Sequence, residues 1–138
     1  IIFIIFTCIG YIYIPYFENI EKYYSLKSEK RNKYLSIYDL KERKDMFDVI
    51  LDVRSKEEYT KGHLKKSLNM EYNDILNEKD LNNLKTKNIT QDKIILVYCN
   101  NGNRSKKVFN HFIDTLKYNQ NNIYFTNESY DVIEKAWS

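Results

Sequence analysis

Glycine and proline are scarce in this chain, with 3 and 1 residues among 138. That scarcity excludes collagen-like and low-complexity linker architectures. Cysteine is equally rare: only Cys8 and Cys99 occur, in regions of opposite character, so a disulfide framework is excluded. With two histidines and one cysteine in the polar part of the chain, a His/Cys metal cluster is not expected. A strong charge of either sign is also missing. The formal charge is +3, and no dense Lys/Arg stripe interleaves with aromatics, so nucleic acid is not expected as a partner. What is present is 43% hydrophobic and 30% charged residues, a globular balance in one domain's worth of chain.

Residues Ile1 to Phe17 carry no charge and are mostly Ile, Phe, Tyr and Cys. Seventeen residues is the short limit for a spanning helix, and the chain does not open on methionine, as expected if the apolar run begins earlier. Tyr11, Tyr13, Tyr16 and Phe17 gather at its end like an interfacial belt. Residues 1–17 are therefore expected to be a hydrophobic helix that anchors the protein in a membrane by a single pass. No Ala-x-Ala cleavage site follows that would make it a signal peptide. The rival reading is a buried strand or core helix. Residues 18–33, charged and tyrosine-rich, read as a juxtamembrane tether, and 34–138 as the folded domain. Between Glu18 and Lys44 there are eight Lys/Arg against five Asp/Glu, which favours a cytosolic domain by the positive-inside rule. Asn103-Arg104-Ser105 agrees, because in a lumen it would be a glycosylation sequon inside the proposed active loop.

From Tyr34 onward strand and helix patterns alternate. Asp48 to Val53, Lys93 to Tyr98 and Asn122 to Phe125 are apolar, β-branched or aromatic runs of strand length. Tyr34 to Ile37 and Ser67 to Met70 are expected to add short strands. Helices are expected over Tyr38 to Lys44, Lys56 to Lys61, Asp80 to Lys87 and Ser105 to Lys117, the last with Val108, Phe112, Ile113 and Leu116 on one face. Such alternation implies βαβ units and a parallel sheet covered on both faces.

The second apolar run leads into Cys99-Asn100-Asn101-Gly102-Asn103-Arg104-Ser105, and a helix follows. The crevice beyond the carboxyl end of a strand is the expected ligand site of an open α/β sheet. Gly102 and the asparagines tolerate positive φ, so the chain can curl into a bowl of inward-pointing amides at the positive end of a helix. A cysteine at the lip of that bowl should ionise readily. The plain alternative is a buried cysteine acting as a small hydrophobe.

These residues resemble the rhodanese family of sulfurtransferases, and the likeness runs beyond the loop. The family order of Asp-x-Arg, acidic helix start, Gly-His, short strand with Asn, and Cys-x-x-Gly-x-Arg-Ser is met by Asp52-Val53-Arg54, Glu57-Glu58-Tyr59, Gly62-His63, Ser67-Leu68-Asn69-Met70 and Cys99 to Ser105. Order and spacing agree over about Tyr34 to Phe125. The chain departs from the pattern at Lys65-Lys66, where Pro-Gly is usual, and around Glu128-Ser129-Tyr130, where Gly-Gly is usual. The resemblance implies an α/β fold whose central parallel sheet has about five strands, with helices on both faces.

It also implies that Cys99 is the catalytic nucleophile and that Asn100 to Ser105 form the persulfide-binding loop. Cys99 would take a sulfane sulfur from thiosulfate, a small anionic donor, or from a protein persulfide, and pass it to a thiol or cyanide acceptor. No cofactor or metal is implied. Arg104 would steer the donor or brace the loop through carbonyl contacts. Asp52 and Arg54 are expected as a structural polar cluster with Glu57 or Glu58 as the arginine's partner, and His63 as a hydrogen-bonded turn residue. Related phosphatases and arsenate reductases on the same fold use a loop one residue longer, Cys-x5-Arg, which disfavours that chemistry here. An idle, partner-binding rhodanese module at a membrane is the alternative, and the intact Cys99 speaks against it.

Overall fold

The computed structural model describes residues 34–77 and 81–138. The expected anchor (1–17) and tether (18–33) lie outside them. Lys33–Ser138 forms one compact unit. Among the described residues no helix is long and apolar enough to cross a membrane.

Two capping boxes punctuate the first half of the domain. Ser36 accepts a hydrogen bond from the Asp39 amide and Asp39 accepts one from the Ser36 amide, which starts α1 (Ile37–Arg43). Ser55 and Glu58 repeat the arrangement at the start of α2 (Lys56–Lys61). Between them lies β1 (Val49–Asp52), and after them β2 (Ser67–Asn69). Then come α3 (Tyr72–Leu76), α4 (Asn82–Thr86), β3 (Ile95–Tyr98), α5 (Asn103–Asp114), β4 (Ile123–Phe125) and α6 (Tyr130–Trp137).

The four strands form one parallel sheet in the order β2-β1-β3-β4. The expected count of about five is corrected to four. Tyr34 makes only an isolated parallel bridge to Phe125, because Ser36 caps α1 immediately afterwards and turns the chain out of the sheet. Helices do cover both faces, and the strands alternate accordingly. Val49, Leu51, Ile95, Val97 and Cys99 face a core shared with α3, α4 and α5. Ile50, Leu96 and Tyr98 face a smaller core shared with α1 and α6. Two helices were not expected from the sequence, α3 and α6. Each is short and fully buries a single residue, Ile75 and Ile133, although in α6 the half-buried Tyr130 and Trp137 share the inward face with Ile133.

Helix α5 starts two residues earlier and stops three residues earlier than expected. Its end is set by Lys117 at φ +58, which lets the Tyr118 amide turn back to the Phe112 carbonyl at 2.8 Å. Left-handed backbone disfavours a residue with a Cβ by about 1–2 kcal/mol. Glycine also loses more entropy on folding. Lys117→Gly is therefore expected to raise stability by about 0.5–1 kcal/mol, read as a higher urea midpoint at unchanged slope.

Strand order reverses between β1 and β3, which places a crevice at their carboxyl ends. Asp52, the last residue of β1, is the register partner of Tyr98, the last of β3. Cys99 follows at once.

Candidate active site

Cys99 continues the alternation of Ile95 and Val97, so its side chain points into the larger core, and the residue is 0% exposed. It sits at the floor of the loop rather than at the lip expected from the sequence. Above it the chain turns at Gly102, whose φ of +89 puts it in the left-handed region. Glycine is required there twice over. A Cβ at this position would lie 2.4 Å from Asn127 Oδ1 and 2.6 Å from Asn127 Cα.

The turn aims donors at the sulfur. Cys99 Sγ accepts from the Gly102 amide at 3.1 Å and from the Ser105 amide at 3.4 Å, and Ser105 Oγ lies 3.6 Å away. Burial raises the thiol's pKa. Ser105, through its hydroxyl and amide, with the Asn101 and Gly102 amides, outweighs that and holds Cys99 below its ordinary value. The first turn of α5 adds its positive end to the same field. Ser105 is buried, and its Oγ lies 3.0 Å from both the Gly102 and the Thr126 carbonyl, tying the loop to the residue after β4. Asn100, Asn101 and Asn103 stand exposed on the rim, and Asn101 Oδ1 accepts from the Asn103 amide at 3.2 Å.

Arg104 does not reach loop carbonyls. Its two terminal nitrogens donate to both carboxylate oxygens of Glu58, at 2.7 and 3.1 Å, bracing the loop against α2. Glu58 is thus the partner of Arg104, not of Arg54 as expected. Arg54 instead turns back onto Asp52, with Nε at 3.0 Å from Oδ1 and Nη2 at 2.7 Å from Oδ2. Nη2 also donates to the Gly62 carbonyl at 2.7 Å. The swap has a geometric cause. Asp52 and Arg54 lie two apart on an extended segment, so their side chains leave the same face together, whereas Glu58 rises from α2 toward the loop. Asp52 Oδ2 further accepts from the Tyr98 hydroxyl. Burial, with the Asp52 carboxylate beside it, pushes the Tyr98 phenol well up. The Arg54 guanidinium lies over the Tyr130 ring, 4.1 Å from its centroid.

His63 is exposed and stacked on Tyr59, with ring centroids 3.8 Å apart and Nδ1 2.9 Å from the Tyr59 carbonyl. Since a carbonyl only accepts, Nδ1 is the donor in this contact. Four supporting residues escaped the sequence reading: Tyr98, Thr126, Asn127 and Tyr130. Thr126 and Asn127 follow the end of β4 on the ligand side of the sheet, a position that could have marked them. Tyr98 could have been found because a buried tyrosine hydroxyl requires a partner.

The Arg104–Glu58 pair makes a pH signature. Arg104 foremost, then Ser55, holds Glu58 down from 4.5 to about 2. A depressed carboxylate stabilises the fold fully above its unfolded pKa and loses that contribution as pH falls through the folded one. The contribution of Glu58 is therefore expected to be complete above about pH 4.5 and to vanish toward pH 2. Acid titration of stability for the wild type against Glu58→Gln should diverge above that window and converge below it.

A family model described as the rhodanese-like domain matches residues 36–136. The chain belongs to the rhodanese-like family. That superfamily is one of sulfurtransferases. The rhodanese-like domain is similar to a rhodanese-related protein of Thermoplasma volcanium, at 25% identity and a TM-score of 0.58, over 77% of this chain and 95% of that one. It shares its fold with a protein of Bacillus halodurans, at 21% identity and a TM-score of 0.62, over 83% and 80% of the two chains. Among curated proteins, 64 residues are 42% identical to a probable molybdopterin-synthase adenylyltransferase of Porphyra purpurea, 45% of this chain. The chain spans 15% of that protein's length.

Proposed function

We propose that this rhodanese-like domain is an active sulfurtransferase that carries a sulfane sulfur on Cys99. The observation that carries the reading is the convergence of the Gly102 and Ser105 amides, with Ser105 Oγ 3.6 Å away, on a buried sulfur whose pKa lies below its ordinary value. A cysteine kept only as a small hydrophobe gains nothing from such donors.

The Cys99 thiolate attacks the outer sulfur of a donor, thiosulfate or a persulfide. A new S–S bond forms to Cys99 as the donor's own S–S bond breaks, and sulfite or a thiolate departs with the bonding pair. The loop amides face the charge of the Cys99 persulfide. An acceptor thiolate or cyanide then attacks the outer sulfur, and the Cys99 thiolate leaves with the electron pair. Arg104 holds the loop in shape through Glu58. Because Cys99 is buried, the donor reaches the sulfur only when the loop around it opens.

In the same proposal residues 1–17 anchor the protein to a membrane in a single pass, residues 18–33 link the anchor to the domain, and the domain faces the cytosol. The partners are the sulfur donor, free or protein-borne, and a thiol acceptor.

Intact mass spectrometry tests the chemistry. After incubation with thiosulfate or a persulfide donor, the protein should gain one sulfur, about 32 Da, which cyanide removes and Cys99→Ser never acquires. A folded protein with an accessible thiol that takes sulfur from neither donor would instead be a binding module.

A further inference from the structure

We propose that the rhodanese-like domain carries a second binding site, on the α1/α6 face of the sheet, for a small soluble organic anion with an aromatic-sized apolar body. A cavity of about 470 Å³ opens there, within the range of small-molecule sites. Its apolar lining is Phe47, Ile50 and Trp137. The Phe47 and Trp137 rings stack with centroids 6.5 Å apart at 24°, and Phe47 is fixed edge-on by Tyr124 at 5.9 Å. These rings give a flat ligand a surface to cover that is already ordered, so little side-chain entropy is lost on binding.

Cations line the same cavity. Its polar lining is Lys44, Asp45, Lys65, Lys66 and Ser138, three ammonium side chains to one carboxylate side chain. Lys44 Nζ donates to the Trp137 carbonyl at 3.4 Å. Lys66, at φ +67, belongs to the Leu64–Ser67 turn, which the Ser67 amide closes on the Leu64 carbonyl at 3.0 Å. The two adjacent lysines are this chain's own, at the place where the family usually has Pro-Gly. Aromatic walls with an excess of ammonium groups complement a carboxylate, sulfonate or phosphate on a ring system.

The cavity is separate from the sulfur chemistry. Ile50, Phe47 and Trp137 belong to the core cluster of the α1/α6 face, while Cys99 belongs to the other. The site therefore does not depend on the sulfur-transfer reading, and either can fail alone.

Calorimetric titration of the full chain with 2-naphthoate tests it, with quenching of Trp137, the one tryptophan of the chain, as the locating signal. The expected result is saturable one-to-one binding in about the millimolar range or tighter. The neutral isostere 2-naphthamide should bind roughly tenfold or more weakly. The exposed pair Lys65→Glu/Lys66→Glu should weaken naphthoate by at least as much, with its circular dichroism unchanged. The comparison of the two ligands uses the unaltered protein, so it stands even if the double variant misfolds. Naphthoate and naphthamide binding equally, no naphthoate binding at several millimolar, or association only with phosphatidylserine vesicles would each overturn the proposal.

Discussion

Alanine at Gly102 is expected to disable the loop. The added Cβ would be 2.4 Å from Asn127 Oδ1, 2.6 Å from Asn127 Cα and 2.9 Å from Asn127 Cβ. A side-chain oxygen can swing away, but Cα belongs to the backbone that follows β4 and cannot. Either the loop or the 126–127 segment must move by several tenths of an ångström, and the φ of +89 adds left-handed strain. Overpacking and strain together amount to about 2–4 kcal/mol. Displacement of the Gly102 amide from Sγ, 3.1 Å away at present, removes a donor that faces the sulfur's charge. Loss of one such donor slows comparable reactions by roughly a hundredfold. Persulfide formation in Gly102→Ala should fall to that extent when followed by mass, and the urea midpoint should drop. Adding Asn127→Gly should restore only part of both, because the clash with the backbone at position 127 survives it. Full restoration would mean that the side chain alone sets the fit.

Alanine at Asp52 is expected to be the most destabilising substitution in the domain outside the hydrophobic core. Asp52 is 0% exposed and Arg54 4%. Removing the carboxylate leaves the guanidinium with the Gly62 carbonyl and the Tyr130 ring but no counter-charge. It also takes from the Tyr98 hydroxyl its close acceptor, leaving only Ser67 Oγ at 3.4 Å. An uncompensated buried charge of this kind costs about 3–5 kcal/mol. Asp52→Asn keeps one oxygen for Tyr98 but loses the charge and turns an NH2 donor toward the Arg54 donors, so it should fall between wild type and alanine. Urea unfolding measures both. A loss below about 1 kcal/mol for Asp52→Ala would mean that Arg54 escapes to water, and that the cluster is far more pliable than its geometry indicates.

The local parts of this architecture were legible in the residues and the long-range parts were not. β1, β3 and α2 show as short apolar runs and a capped acidic start, signals contained within a few neighbouring positions. The loop from Cys99 to Ser105 is legible for the same reason. The choice of Glu58 by Arg104 was not, because 46 positions separate them and Arg54 offered an equally basic alternative nearer in sequence. The fifth strand failed on a competition invisible to periodicity: Ser36 gains more as a helix cap than Tyr34 to Ile37 gains as an edge strand. The lip position expected for Cys99 rests on strand ends being ordinarily solvent-facing. Its place in the β3 alternation, two after Val97, carried the correct inward direction.

The register of β1 against β3 has a kinetic consequence. Asp52 meets Tyr98 across a sequence separation of 46, and every strand pairing in the sheet is a parallel crossover of this non-local kind. Such topologies close long loops before any contact rewards them, and they fold slowly. The Gly102 turn lies close against Asn127 and Ser105 Oγ donates to the Thr126 carbonyl, both beyond β4, so the cradle around the sulfur is complete only once the last strand has docked. A chain emerging from synthesis consequently carries an ordinary cysteine with an ordinary thiol. Only the completed domain surrounds Cys99 with these donors, so on the proposed reading maturation itself delays the onset of sulfur chemistry.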